Sequence, residues 1–282
     1  MHRALRRASL PRNAPLEATQ ETDFGRLINR VPEVTLVFWI LKILATTVGE
    51  TAADVLSTTF GLGTVGTSYV MGVLLVISLV FQLRARRYVP AIYWVVVVFI
   101  SVVGTLISDN LVDNLGVPLS TTSLIFLIAL VAVFVFWYLS ERTLSVHTIY
   151  TKRRELFYWA AILFTFSLGT SAGDLLSERL GLGYALSAAM FGAAIAIIYA
   201  SYRLGWMNEV LAFWLAYILT RPLGASMGDL LTAARDEGGL ELGTIPVSVV
   251  FLLVIVALVV YLDREEKKKS EPNLGRAPQS RA

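Results

Sequence analysis

The sequence predicts an all-α integral membrane protein: eight transmembrane helices arranged as four parallel two-helix repeats, with both termini on the cytoplasmic side. Three observations predict it. Of the 282 residues, 56% are hydrophobic and 16% charged, with a mean hydropathy of +0.66, too apolar for an ordinary soluble domain. Mostly apolar stretches of about 20 residues, the length of a spanning helix, recur eight times. An aromatic-Trp pair followed by Gly ten residues and Asp fifteen residues after the Trp recurs four times, and such fixed spacing marks internal repeats.

In chain order, repeat one covers 34–83, with spans at 34–56 and 64–83. It carries Phe38-Trp39, Gly49 and Asp54, then Gly61-Leu62-Gly63 in the turn. Repeat two covers 91–139, with spans at 91–112 and 120–139; its markers are Tyr93-Trp94, Gly104 and Asp109, followed by Gly116 and Pro118. Repeat three covers 157–202, with spans at 157–176 and 184–202, and has Tyr158-Trp159, Gly169, Asp174 and a second Gly-Leu-Gly at 181–183. Repeat four covers 210–262, with spans at 210–231 and 245–262. It has Phe213-Trp214, Gly224 and Asp229, and reaches Gly243 and Pro246 only after the extra residues Arg235–Gly239. The chain therefore reads as two halves of two unequal hairpins, forming one membrane domain over 31–262. Residues 1–30 and 263–282, rich in Pro, Ser, Gln and mixed charge, read as disordered cytoplasmic tails. The Arg-rich start has no apolar stretch behind it before residue 34, which argues against a cleaved signal peptide.

Twenty of the 24 Lys and Arg residues fall on the side shared by the termini, while Arg179 and Arg235 fall on the other. Basic loops mark the cytoplasmic face. Two spans per repeat bring every repeat into the bilayer in one orientation, so the repeats are related about an axis near the membrane normal. The Trp residues 39, 94, 159 and 214 are then expected at the cytoplasmic interface, where such rings are favoured. Fifteen residues at 1.5 Å each carry the chain about 22 Å deeper. This places Asp54, Asp109, Asp174 and Asp229 in one layer of the outer half.

With its four Trp residues and the Gly and Asp spacing behind them, the chain resembles a bacterial family of uncharacterised membrane-anchored proteins built from four tandem repeats, each with two transmembrane regions and a characteristic Trp. The resemblance implies the architecture and carries no activity with it.

An ionised Asp at mid-bilayer costs about 2.5–3.5 kcal/mol on insertion scales, so four unsatisfied ones would cost on the order of 10 kcal/mol. They are expected to be protonated, hydrogen-bonded, paired or occupied by a cation. Asp54, Asp109, Asp174, Asp229 and Glu50 form the candidate cation-binding set, with Asp113 and Glu178 an outer acidic mouth one turn beyond. Asn110, Asn114, Ser108, Thr51, Ser171 and Ser226 add neutral oxygens. Gly49, Gly104, Gly169 and Gly224 read as helix-packing positions that also permit local unwinding. Lys42, three residues past Trp39, is expected to snorkel to the cytoplasmic interface, the alternative being a coupling or counter-charge role shared with Arg221. Arg221, before a helix-kinking Pro222, is expected to pair with a layer carboxylate, to act as a counter-cation that competes with substrate, or to bind an anionic substrate.

Oxygen ligands without Cys or membrane His favour hard cations such as Mn²⁺, Mg²⁺, Ca²⁺ or protons. The expected function is therefore transport of such a cation, or its H⁺-coupled movement, past the four Asp residues, by a protein that is not an enzyme and has no cofactor beyond a possible bound divalent cation. The alternatives are a scaffold, sensor or accessory protein held together by Asp hydrogen bonds, and efflux of a small organic or anionic solute. Ser171-Ala172-Gly173-Asp174 and Ser226-Met227-Gly228-Asp229 depart from the Gly-x-Gly-Asp motif of intramembrane proteases at its first Gly, and four equivalent acids do not suit a two-Asp mechanism. The bilayer and a small cation or proton are the expected partners, homo-oligomerisation is left open, and the basic clusters at membrane junctions do not indicate nucleic acid.

Overall fold

A computed structural model describes residues 29–270, and every described element is helical or irregular. Eight helices are long and apolar enough to cross a membrane: α1 Leu36–Asp54, α2 Gly63–Arg84, α3 Pro90–Asp109, α4 Leu119–Glu141, α5 Lys152–Asp174, α6 Tyr184–Arg203, α7 Glu209–Thr232 and α8 Thr244–Ser270. α8 continues past residue 262, into the segment read from sequence as tail. Residues 1–28 and 271–282 of the expected tails lie outside the described residues.

Local chemistry starts the odd helices. The hydroxyl of Thr35 accepts from the Phe38 amide, Thr151 does the same for Arg154 and Asn208 for Leu211, while α3 begins with Pro90 in its first turn. Each device satisfies or removes an otherwise unpaired amide. After the Asp, repeats one to three widen into five-residue π-helical turns, Val55–Thr59, Asn110–Asn114 and Leu175–Arg179. Positive φ angles follow, 69° at Gly61, 66° at Gly116 and 67° at Gly181, a backbone region that glycine enters without penalty. In repeat four α7 instead runs on to Thr232, and the extra residues fold as the short 3₁₀ turn Arg235–Glu237.

The odd helices form a closed inner ring, α1 against α3, α3 against α5, α5 against α7 and α7 back against α1. The even helices lie outside: 61–67% of the apolar window is buried in each odd helix and 11–22% in each even one. The two helices of a repeat do not pack as a hairpin, contrary to the expectation from sequence. Each second helix packs on the first helix of the next repeat, α2 on α3, α4 on α5 and α6 on α7, and α8 closes the circle on α1. The turn with its positive-φ glycine carries the chain sideways to the neighbouring repeat.

The Gly ten residues after each Trp makes the ring possible. A Cβ on Gly49 would meet Ser101 Oγ at 1.8 Å, on Gly104 Phe166 Cβ at 2.5 Å, on Gly169 Arg221 Cγ at 2.2 Å and on Gly224 Thr46 Cγ2 at 2.5 Å. In every case the neighbour stands three residues before the corresponding Gly of the next repeat. Small residues let helices approach this closely, and one rule operates around the whole circle.

The aromatic-Trp pairs follow a second circular rule. Phe38 packs on Trp94 with ring centroids 5.8 Å apart, Tyr93 on Trp159 at 5.4 Å, Tyr158 on Trp214 at 6.1 Å and Phe213 on Trp39 at 5.7 Å. Trp94, Trp159 and Trp214 are buried in this aromatic layer, and Trp39 is half-buried. The rings expected at the interface are thus turned inward, into a core layer at that end of the ring. In these contacts between repeats the rings are tilted at 45–58°, while within each pair the two rings meet edge to face, and such aromatic contacts add to the burial of the indoles. The Trp214 indole also donates to Leu144 O at 2.9 Å, and that of Trp94 to the Tyr88 hydroxyl at 3.2 Å.

The segment before α1 folds across this end of the ring. Asn29 Nδ2 donates to Val146 O, the Arg30 amide to Ile149 O and the Tyr88 amide to Asn29 O. Arg30 pairs with the fully buried Glu155 at 2.7 Å, and Gln82 donates to the other Glu155 oxygen at 2.9 Å.

Candidate functional site: an acidic chamber above a buried arginine

At the C-terminal end of the inner ring the four repeats surround a chamber of about 450 Å³. Asp54, Asp109, Asp174 and Asp229, one from each odd helix, all line it, with Glu50, Asp113, Thr58, Tyr184, Thr232 and Thr244. Their convergence follows from the ring. Equivalent positions on four helices related about one axis face the same space at the same height. The four Asp residues are half-buried, Glu50 is 8% exposed and Asp113 is exposed at the rim. Glu178 belongs to the π-helical turn of repeat three, and its side chain lies outside the described residues. Among the described residues no three His, Asp or Glu side chains are grouped to hold a metal ion directly; the carboxylates line the chamber.

Beneath the Asp layer the axis is closed by Arg221. Its guanidinium is fully buried and pairs with Glu50 Oε2 at 2.7 Å. The same Nη2 donates to Thr170 Oγ1 at 2.7 Å and to the hydroxyl of Thr105, which also donates to Glu50 at 3.2 Å. Glu50, Thr105 and Thr170 each stand eleven residues after the Trp of their repeat, and the fourth copy of that position is Ala225. One Arg therefore reaches three of the four equivalent positions from α7. Its carboxylate partner is Glu50 on the neighbouring helix α1. α7 is continuous through Pro222, whose ring lies beside Gly169.

Lys42 corrects the snorkelling expectation. It is fully buried inside the ring, with Nζ 3.9 Å from the centre of the Phe166 ring and 4.3 Å from that of Tyr217. Snorkelling needs an outward-facing stem near the interface, and Lys42 occupies the inward face of α1 amid the aromatic layer.

Several expected neutral ligands serve packing instead. Asn110 Nδ2 donates to Ser68 Oγ at 2.8 Å and Asn114 Nδ2 to Thr64 Oγ1 at 2.7 Å, tying α2 to repeat two; Ser248 donates to Thr51 Oγ1 at 2.7 Å, tying α8 to α1. Neither the Asp54 nor the Asp109 carboxylate makes a hydrogen bond to another helix among the described residues, whereas Thr47 does so by donating to Gly224 O at 3.0 Å. Sequence reasoning missed Thr105, Thr170 and Phe166. The available signal was their offset, since the first two share the Trp spacing of Glu50 and Phe166 shares that of Arg221. A larger recess of about 600 Å³ at the opposite end, between α1, α6 and α7, is lined mainly by apolar groups, with the His147–Glu209 pair beside it.

No curated protein and no solved structure is significantly similar to the chain. A family model described as Repeat of Unknown Function (DUF347) matches four times, at residues 37–88, 92–143, 157–204 and 212–268. Each match contains one inner and one outer helix of the ring. The chain therefore belongs to the DUF347 repeat family, of which it carries four copies in tandem.

Proposed function

We propose that the protein is a multi-pass transporter of the bacterial inner membrane, with both termini cytoplasmic, and that it moves a hard cation through the acidic chamber. The observation that carries this reading is the convergence of four equivalent Asp carboxylates, with Glu50 beneath them, on one space of about 450 Å³. Clustered carboxylates repel one another unless protons or cations intervene. At about 30 Å³ per water in the liquid, the chamber has room for a cation with its first water shell. Carboxylates that line a space suit such a hydrated ion, as Mg²⁺ sites often do. The scaffold alternative loses ground at Asp54 and Asp109, where interhelical hydrogen bonding by the carboxylates is the feature it requires.

The test is uptake into proteoliposomes of Mn²⁺, Mg²⁺, Ca²⁺, Na⁺ and protons, with Asn substituted singly at 54, 109, 174 and 229. An amide preserves neutral hydrogen bonding and removes the charge. Flux of at least one species, lost in folded Asn variants, is expected; flux unchanged in all four variants, or no flux at all, refutes the reading.

A further inference from the structure

Lys42 is a charge inside the ring that the chamber does not use. Its Nζ donates one long hydrogen bond, 3.4 Å, to Thr46 Oγ1, and that hydroxyl is itself committed to the Lys42 carbonyl at 2.6 Å. Among the described residues no carboxylate pairs with it. Two ring faces and one long hydrogen bond return only part of the cost of removing an ammonium from water, and an apolar side chain of similar volume would fill the position without that cost. An intramembrane ionisable group in such a place is a candidate for function. A lysine amine, unlike a guanidinium, can release its proton.

The second observation is that Lys42 shares a ring with Arg221. Nζ of Lys42 lies 3.9 Å and Cζ of Arg221 lies 5.6 Å from the centre of Phe166. Like charges facing one ring repel, and Arg221 has a second attachment in Glu50 at the chamber floor. Of the other titratable groups on the inner helices, Tyr217 on α7 has its ring centre 4.3 Å from Nζ, Tyr158 on α5 and Tyr93 on α3 stand four positions earlier in their repeats than Lys42, and Glu50 lies eight residues further along α1. From α8 the same core receives Ile255, Leu258 and Leu262, which do not titrate. The Tyr93 and Tyr158 hydroxyls hydrogen-bond to each other one turn nearer the chain termini.

We propose that Lys42 is the proton-coupling residue of the transporter, an inference that rests on the cation-transport reading above. The ammonium form keeps Arg221 on Glu50; the neutral amine lets Arg221 move toward the Phe166 face and frees Glu50 to join the Asp layer. A proton on Lys42 and a cation in the chamber thereby exclude one another. In the exchange the Nζ–H bond breaks with its electron pair left on nitrogen, and the proton departs to water. The Glu50 carboxylate exchanges its guanidinium partner for the incoming cation, and nothing is oxidised or reduced.

Mn²⁺ uptake into proteoliposomes, with and without an imposed pH difference, tests this. Wild-type uptake is expected to change at least tenfold with the pH difference. In Lys42→Met, uptake down the Mn²⁺ gradient persists but loses that response; in Lys42→Arg, whose charge is permanent, uptake falls at least tenfold at every pH. Lys42→Gln replaces the Met variant if the latter does not fold. Wild-type uptake indifferent to the pH difference, or a neutral variant as responsive as wild type, overturns the proposal and leaves the transport reading standing. No uptake of Mn²⁺ or of any other cation of the panel above by folded wild-type protein overturns both.

Discussion

Gly104→Ala tests the rule that builds the ring. The added Cβ would lie 2.5 Å from Phe166 Cβ, 3.2 Å from the Ser167 amide nitrogen and 3.3 Å from the Phe166 carbonyl carbon. Carbon atoms in contact rest at about 3.5–4.0 Å, so α3 and α5 must separate by about 1 Å. Two of the three obstructing atoms are backbone, and no rotamer change relieves them. Overpacking of this kind costs about 1–3 kcal/mol, and the upper end applies because the obstruction is rigid. Replacing a helical Gly by Ala returns up to about 1 kcal/mol. The net loss is about 2 kcal/mol, or a melting temperature lower by roughly 5 °C. The outer helices provide the control: a Cβ on Gly72 or Gly192 meets nothing within 4 Å, so Ala there is expected to leave stability unchanged or raise it by up to about 1 kcal/mol. Thermal unfolding in detergent, followed by size-exclusion chromatography of the heated protein, measures all three. Gly104→Ala as stable as Gly72→Ala would refute the close-packed inner ring.

Glu50→Gln leaves the buried Arg221 guanidinium without its counter-charge, and breaking a buried pair from one side costs about 3–5 kcal/mol; the double variant Glu50→Gln/Arg221→Gln is expected to recover part of that loss in the same thermal assay. Glu155→Gln, which removes the partner of Arg30 at the opposite end, is expected to lower stability by a similar order and to expose the segment before α1 to limited proteolysis. Trp214→Phe removes the hydrogen bond to Leu144 O together with indole packing, and a loss of about 1–3 kcal/mol is expected; a melting temperature equal to wild type would count against the aromatic core layer.

Much of the architecture was legible because repetition is a property of the chain itself. The Trp, Gly and Asp spacings identify four units, and apolar length identifies eight helices. The equivalence of Asp54, Asp109, Asp174 and Asp229 predicts that they share a height. Helices apolar on most sides, however, carry little record of which face turns inward. The aromatic pairs therefore read equally well as interface anchors or as core, and Lys42 as a snorkelling or a buried residue. The pairing of α2 with α3, rather than with α1, depends on the direction in which a π-helical turn and a positive-φ glycine send the chain, and residue spacing does not record that direction.

The order of residues along the chain defines the equivalent positions: four glycines where helices must approach closely, four aromatic pairs, four carboxylates. How those positions meet across the axis is settled by the packing of the eight helices. Because the ring closes, Gly169 stands beside Arg221, Phe166 lies beneath two cations, and Glu50 on α1 receives a guanidinium from α7, 171 residues away. Contacts of that separation arise from ring closure, and no local spacing encodes them.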